Sequence, residues 1–290
     1  MNTVLRRLAF LAMPIAASGL LGTETQLTEL IRSLWNLMIL PIVAFAGILA
    51  WRGEWLTAGA LGVTATALFA LVVPHFRDAP PPDGRADVRI VFANILYRQV
   101  VLDRTAEWAL AEGADVLVIA EMPRGPMPVM PPGWTPMPQR CLPSHIFVFV
   151  REGTVNCRAI GDSRRPGLLF DAPANLQVIG LHTTVPFKVN GLARRKRELA
   201  GVAHTAPEGP LLLIGDFNIV PWSDDFELMS SRGFTRLPIG AQSTWLSSSP
   251  ALGLPIDHAL VRGDLEASAR PGPWMGSDHR PLFVQISLLD

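Results

Sequence analysis

Two long apolar segments, residues 34–51 and 55–73, constrain this chain more than any other feature of its sequence. Only three residues separate them, and each approaches the roughly 20 residues that an α-helix needs to cross the hydrocarbon core of a bilayer. Trp35, Trp51 and Trp55 stand at the ends of these segments, where amphipathic rings favour the headgroup region. We therefore predict two transmembrane helices.

A third apolar segment, residues 8–21, precedes them. It is shorter, follows Arg6-Arg7 and contains the small residues Ala16-Ala17-Ser18, so it is either a further transmembrane helix or a cleaved signal peptide. In both cases the next two helices leave the rest of the chain outside the cytoplasmic membrane. Only if the segment neither spans nor is cleaved after export would the rest of the chain be cytoplasmic. We expect a multi-pass protein of the cell membrane with two or three transmembrane helices, whose partner is the lipid bilayer.

The composition changes after this apolar region. Only 17% of the whole chain is charged, its mean hydropathy is positive at +0.29, and the charged residues become frequent only from Asp78 onward. The run Ala79-Pro80-Pro81-Pro82-Asp83-Gly84 is typical of a stiff, extended linker. We predict a membrane anchor at residues 1–78, a proline-rich linker at 79–87 and a globular domain at 88–290.

The sequence from Val88 onward alternates short apolar runs with polar or helical stretches, which is typical of an α/β fold. The apolar runs suit strands that are buried on both faces. Strands are predicted at residues 89–95, 115–120, 145–151, 177–182, 211–215, 257–261 and 281–286, and helices at 103–112, 192–204 and 224–231.

Cys141 and Cys157 are the only cysteines, and they flank one predicted strand. In an oxidising compartment they could form a disulfide, and otherwise they are two separate buried thiols. The sequence leaves both alternatives open.

Polar side chains cluster at the ends of the predicted strands. Carboxylates buried there are unfavourable unless something compensates their charge, and a hard cation is a common compensation. Because the donors are oxygen atoms and no cysteine joins them, the pattern favours Mg²⁺ or Mn²⁺. The oxygen donors at strand ends are Glu121, Asp216, Asn218 and Asp278.

These residues resemble the endonuclease/exonuclease/phosphatase superfamily, the DNase I-like enzymes, over roughly residues 88–288. The resemblance implies a four-layer sandwich of two packed β-sheets flanked by helices, with a site where strand ends converge. It rests on six motifs in the family's order: Asn94 in Phe92-Ala93-Asn94, Glu121 after a five-residue apolar run, His182, Gly215-Asp216-Phe217-Asn218, Ile256-Asp257-His258, and Gly276-Ser277-Asp278-His279-Arg280-Pro281.

The resemblance also implies a metal-dependent hydrolase of phosphoester bonds and a role for each residue. Glu121 is expected to be the main metal ligand, with Asn94 and Asp278 assisting it. The expected catalytic residues are His279, which activates or positions water, Asp257, which orients the His279 ring, Asp216 and Asn218, which orient the nucleophile and the phosphate, and His182, which donates to the phosphate.

Other polar residues have simpler interpretations. His258 follows Asp257 on the same strand, so its side chain should point to the opposite face. The basic run at residues 194–197 is interpreted as a solvated helix face, with contact to phosphate headgroups as the alternative. Trp222 and Trp245 either line a substrate groove or pack in the core.

The preferred substrate is a lipid-linked phosphate, because a membrane tether holds the site close to the bilayer. The anchor resembles that of a bacterial subgroup that includes proteins linked to glycopeptide-antibiotic resistance. The alternative is a membrane-tethered nuclease that acts on DNA or RNA. The region after Ala79 carries 20 basic and 21 acidic residues, however, which is not the basic surface typical of nucleic-acid binding. A catalytically inactive scaffold is disfavoured by the complete set of expected catalytic residues.

Overall fold

The computed structural model describes residues 25–78, 80–81, 86–123, 130, 132–138, 145–153, 156–246, 248–249 and 252–289. The apolar segment at 8–21, Cys141 and residues 79 and 82–85 of the predicted linker lie outside the described residues. Cys157 is disulfide-bonded. The chain forms two compact units, one of residues 1–76 with Val220–Ser223 and one of Arg77–Ile219 with Asp224–Asp290.

The described part of the first unit is helical, with α1 at Gln26–Ser33, α2 at Trp35–Trp51 and α3 at Trp55–Val72, which continues as a 3-10 turn to His75. Among the described residues, the helix Trp55–His75 is by itself long and apolar enough to cross a membrane. Helices α1 and α2 reach that length only together, and they are bent by 65° at their junction. The two apolar segments are thus helices, and α1 is an amphipathic helix that the sequence did not predict.

The second unit contains two β-sheets, each with six strands among the described residues. The strands are β1 Val88–Asn94, β2 Val116–Ala120, β3 Thr135–Pro136, β4 Ile146–Val150, β5 Cys157–Ile160, β6 Gly167–Asp171, β7 Gln177–His182, β8 Leu211–Asp216, β9 Thr235–Arg236, β10 Asp257–Arg262, β11 Leu265–Pro271 and β12 Leu282–Leu288. The first sheet has the order β11-β12-β1-β2-β4-β3 and the second the order β5-β6-β7-β8-β10-β9.

Three apolar layers hold these sheets and their helices together. Side chains from both sheets, such as Phe92 and Phe170, form a central cluster between them. The outer face of the first sheet packs on α4 (Gln99–Ala111), and that of the second packs on α5 (Gly191–Thr205) and α6 (Asp225–Ser230). The predicted four-layer α/β sandwich is therefore confirmed, and strands such as β2 are buried on both faces.

Five of the described strands were not predicted: β3, β5, β6, β9 and β11. Strands β3, β5, β9 and β11 stand at the edges of the two sheets and expose part of their length, so they lack the continuous apolar run that marks a central strand. The predicted helix at 103–112 begins earlier, at Gln99.

Strand direction brings the predicted site residues to neighbouring strand ends. Strands β1 and β2 are parallel, as are β7 and β8, so His182 pairs in register with Asp216. Strand β10 runs antiparallel to β8, which pairs Asp257 with Asp216. Gly215 permits the close approach of β7 and β8, because a Cβ atom at this position would lie 1.8 Å from the Leu181 carbonyl oxygen.

Candidate active site

A histidine and an aspartate form a buried hydrogen-bonded pair at the centre of the site. His279 Nδ1 lies 2.8 Å from Asp257 Oδ2, and both residues are buried. The Asp257 backbone N–H donates to Thr244 Oγ1 at 3.0 Å, which fixes the start of β10. Because the carboxylate accepts from Nδ1, the other ring nitrogen, Nε2, faces the site, where it lies 3.7 Å from Asp216 Oδ2.

Asp216 is the buried carboxylate that the other side chains surround. It accepts hydrogen bonds from Asn94 Nδ2 at 3.2 Å and from the Asn218 backbone N–H at 3.0 Å. Asn218 has a φ of 50° and donates from its side chain to the Thr183 carbonyl at 3.1 Å. The turn after β8 is thereby tied to the end of β7.

The electrostatics of this cluster favour added positive charge. The pKa of Asp216 is raised to about 7, mainly by burial, while the charge of His279 lowers it and that of the neighbouring Asp257 raises it. Burial lowers the pKa of His279, but the charges of Asp257 and Asp216 outweigh burial and leave this pKa at about 10. The carboxylates thus stabilise an imidazolium, and they would stabilise a bound cation in the same way.

Glu121 directly follows β2, with its backbone in the left-handed region at a φ of 53°. Its carbonyl accepts from the Tyr97 backbone N–H at 2.8 Å, and 19% of its side chain is exposed. Burial raises the pKa of Glu121, a hydrogen bond from Asn94 and the charge of His279 lower it, and Asp278 raises it. Glu121, Asn94 and Asp278 therefore lie within one electrostatic neighbourhood.

Two residues, Trp245 and Ser277, contact the Asp278 carboxylate, and neither contact was predicted from the sequence. Trp245 Nε1 donates to Asp278 Oδ2 at 3.2 Å, so this indole contacts a site carboxylate. Ser277 Oγ lies 3.2 Å from Asp278 Oδ1 and 2.8 Å from the Asn94 carbonyl oxygen. Ser277 is part of the Gly276–Pro281 motif, but nothing in the sequence indicated that its hydroxyl joins Asp278 to the end of β1.

Of the predicted metal ligands, Glu121 and Asp278 offer carboxylate oxygens, which suit a hard divalent cation. The side-chain oxygen of Asn94 accepts from the Leu96 backbone N–H at 3.1 Å, and its Nδ2 donates to Asp216. A second set in the described part of the chain, Asp216, Asp257 and His279, also offers ligand atoms within 4.8 Å of one another. In that set Asp257 Oδ1 is buried and has no hydrogen-bond partner among the described residues, whereas Oδ2 contacts His279 Nδ1. The described site therefore offers two sets of donor atoms to a cation.

His182 ends β7 on the other side of Asp216. Its Nε2 lies 3.6 Å from Asp216 Oδ2 and 3.7 Å from Glu121 Oε1. Burial and then the nearby positive charge of Arg165 hold the pKa of His182 well below its usual value. This imidazole is therefore neutral near pH 7, unlike that of His279.

Arg195 corrects the interpretation of the basic run at 194–197 as a solvated face. Its side chain is fully buried, whereas Arg194 and Arg197 are exposed. Arg195 Nη1 donates to the Asn218 carbonyl at 2.6 Å and Nη2 to Asp225 Oδ2 at 2.7 Å. Its burial supports the turn that carries Asn218, and no local pattern revealed these long-range partners.

His258 is directed away from the predicted site residues, and Trp222 is buried. His258 Nε2 lies 2.7 Å from the Ile219 carbonyl oxygen, and the ring stacks edge-on against Phe226 with centroids 4.9 Å apart. His258 therefore points to the face of β10 opposite to that of Asp257, as the alternation of side chains along a strand predicts.

The sequence matches the model of the Endonuclease/Exonuclease/phosphatase family over residues 69–279. No curated protein matches it. Solved structures with a similar fold include three that share low identity with this chain. An AP endonuclease from Archaeoglobus fulgidus is 14% identical with a TM-score of 0.54, and the alignment covers 69% of this chain and 100% of that one.

The second, a mannosyl-6-phosphatase from Bacteroides thetaiotaomicron, is 13% identical with a TM-score of 0.50 and coverages of 69% and 100%. The third, the beta toxin from Staphylococcus aureus with bound magnesium ions, is 11% identical with a TM-score of 0.50 and coverages of 69% and 99%. Likeness at these identities concerns the fold alone, whereas the family model spans most of the sequence. This chain belongs to the endonuclease/exonuclease/phosphatase family.

Proposed function

We propose that this protein catalyses the divalent-metal-dependent hydrolysis of a phosphoester or phosphoanhydride bond in a lipid-linked substrate at the membrane surface. One observation carries the chemistry. The His279–Asp257 pair lies beside the buried Asp216, with His279 Nε2 3.7 Å from Asp216 Oδ2. An imidazole in a fixed position can activate a water molecule, and the clustered carboxylates beside it can bind a cation that holds the phosphate.

The residues that would hold the cation are Glu121, Asn94 and Asp278. A Mg²⁺ or Mn²⁺ ion there would neutralise charge on the phosphoryl oxygens. The ligands are held in place by other side chains, because Trp245 donates to Asp278 and Ser277 contacts both Asp278 and the Asn94 carbonyl. Asn94 would have to turn its amide to receive the ion, because its side-chain oxygen accepts from the Leu96 backbone N–H at 3.1 Å and its Nδ2 donates to Asp216.

The attacking water is assigned to His279. The site carboxylates raise the pKa of His279 to about 10, so its ring is protonated near pH 7 until a bound cation offsets their charge. Nε2 of the ring freed in this way would accept the proton of the water, and Asp257 would stabilise the imidazolium that results. Asp216 and Asn218, linked through the Asn218 backbone N–H, orient the water and the phosphate. His182 Nε2 faces the same carboxylates from the β7 side and donates to a phosphoryl oxygen.

The membrane part of the proposal rests on the apolar helices. Helix Trp55–His75 is long and apolar enough to cross a bilayer, and 12 residues lie between its end and the start of β1 at Val88. Such a tether raises the concentration of the site near membrane-bound substrates. We include the multi-pass arrangement, with α2 as a further span, and an extracytoplasmic catalytic domain in the same proposal.

A membrane-tethered nuclease is the second candidate, because one similar fold belongs to an AP endonuclease. The charge of this chain supports it less well. After Ala79 the chain is nearly neutral, whereas a nuclease gains most of its affinity from basic residues that neutralise backbone phosphates.

The test is a parallel assay of the full chain purified in detergent with Mg²⁺. Polyprenyl diphosphate, phospholipid vesicles and plasmid DNA are offered, and release of phosphate or headgroup is followed beside DNA nicking. The proposal predicts that a lipid substrate is turned over by wild type and that Glu121→Gln abolishes this turnover. Glu107→Gln is the control, because Glu107 is an exposed glutamate, and it should retain turnover. DNA nicking without lipid turnover would favour the nuclease instead.

A further inference from the structure

Arg165, in the turn between β5 and β6, makes two contacts with His182, the last residue of β7. Its Nε donates to the His182 carbonyl oxygen, and its Nη2 lies 2.9 Å from His182 Nδ1. The side chain is half-buried against β7, while the preceding Arg164 is exposed. One guanidinium thus contacts both the main chain and the ring of a single residue that faces the site.

The chemistry of these two groups fixes where the imidazole carries its proton. A guanidinium is charged at any ordinary pH and has only hydrogen-bond donors, so the nitrogen that it contacts must accept. His182 Nδ1 is therefore the unprotonated nitrogen, and the proton of the neutral ring lies on Nε2. That nitrogen faces Asp216 Oδ2 at 3.6 Å and Glu121 Oε1 at 3.7 Å, which suits an N–H group.

His279 has the opposite arrangement. Its Nδ1 contacts the Asp257 carboxylate, which can only accept, so Nδ1 carries a proton. The two imidazoles therefore face one carboxylate, Asp216, from two sides. Behind His279 lies the negative Asp257, and behind His182 lies the positive Arg165. These contacts place a proton on Nδ1 of His279 and leave Nδ1 of His182 without one.

We propose that Arg165 is a positioning residue that holds His182 in the Nε2–H tautomer, so that His182 serves the reaction as a donor and not as a base. The functional half of this inference rests on the proposed hydrolysis, whereas the tautomer itself does not. Without Arg165 the ring would sample both tautomers and other orientations, and a fraction of the molecules would lack the donor.

The tautomer is measured directly by ¹⁵N NMR on the full chain in detergent micelles at pH 7, with labelled histidine. The chain has six histidines, and the resonances of His182 are identified by their loss in His182→Gln. Wild type should show His182 Nδ1 unprotonated and Nε2 protonated. Arg165→Met should give a tautomer mixture, Arg165→Lys should retain the wild-type form, and the exposed-site control Arg164→Met should match wild type.

The kinetic readout uses whichever substrate the parallel assay identifies. Arg165→Met should lower kcat by about 10- to 100-fold with little change in KM, the usual effect of losing a residue that orients a functional histidine, and Arg165→Lys should recover part of it. A proton on His182 Nδ1 in wild type overturns the proposal, even if Arg165→Met does not fold. So does an unchanged tautomer in Arg165→Met. Neither result depends on activity, so failure of the proposed function would be seen separately.

Discussion

His279 Nδ1 lies 2.8 Å from Asp257 Oδ2, and this contact joins the two β-sheets at the site. Asp257 is the first residue of β10 in the second sheet, and His279 lies just before β12 in the first. A second contact joins the sheets in the same region, because Asn94 at the end of β1 donates to Asp216 at the end of β8. The site is therefore built across the interface of the two sheets, and its geometry depends on how they pack.

The first prediction concerns His279 and Asp257 as one unit. Replacing either residue by alanine should lower kcat by about 10²- to 10⁴-fold, the range for a positioned acid–base group. Groups that act together are non-additive, so the double variant should be hardly worse than the poorer single variant. Rates are measured for wild type, both single variants and the double variant under saturating Mg²⁺. If the fold-loss of kcat in the double variant equals the product of the losses in the two single variants, Asp257 does not act through His279.

The second prediction concerns the divalent cation. Activity should be abolished by EDTA and restored by Mg²⁺ or Mn²⁺, because Glu121 and Asp278 would otherwise face each other as uncompensated carboxylates. Trp245→Phe removes the indole N–H that donates to Asp278 while it retains an aromatic ring. It should raise the Mg²⁺ concentration for half-maximal activity by about 10- to 100-fold. Full turnover in a metal-free preparation would contradict the ligand assignment.

The third prediction concerns the buried cation Arg195. Arg195→Met should destabilise the domain by about 3–5 kcal/mol, because it leaves Asp225 and the Asn218 carbonyl without their buried partner. The control is Arg194→Met, one residue earlier on the exposed face of the same helix, which should stay within about 0.5 kcal/mol of wild type. Thermal unfolding of the three proteins decides the matter, and equal melting temperatures would mean that Arg195 is not a structural cation.

The fourth prediction concerns the side of the membrane on which the domain lies. Alkaline phosphatase fused after Asp290 should be active in a bacterial host, and a fluorescent protein that matures only in the cytoplasm should stay dark. The reason is that both interpretations of the first apolar segment place the C-terminal domain outside. The reverse pattern would place the domain in the cytoplasm.

The central strands and the residues at their ends could be predicted because both depend on local sequence. The apolar run of β2 and the run that ends at Gly215 are continuous, so the sequence indicates both the strand and the polar residue that follows it. Strand β11 could not be found in this way. It mixes exposed, half-buried and buried residues at the edge of its sheet, without a regular alternation, and includes Pro271.

The supporting contacts of the site could not be predicted, because they depend on residues far apart in the chain. Arg195 stands in a run of four basic residues, yet it alone of the four is fully buried, through partners 23 and 30 positions away. Arg165 has no motif at all, and its partner His182 is brought to it by the pairing of β6 with β7. Long-range partners of this kind become visible only when the sheets are assembled.

The backbone at Glu121 has a further consequence for how this protein would respond to selection. At a φ of 53°, the left-handed backbone of Glu121 lowers the free energy of unfolding by roughly 1 kcal/mol or more relative to a glycine in the same conformation. Laboratory evolution for heat resistance alone would therefore tend to accept glycine at this position. The selected proteins would be more stable but would lack the proposed main metal ligand, so a screen on this scaffold must score turnover in every round.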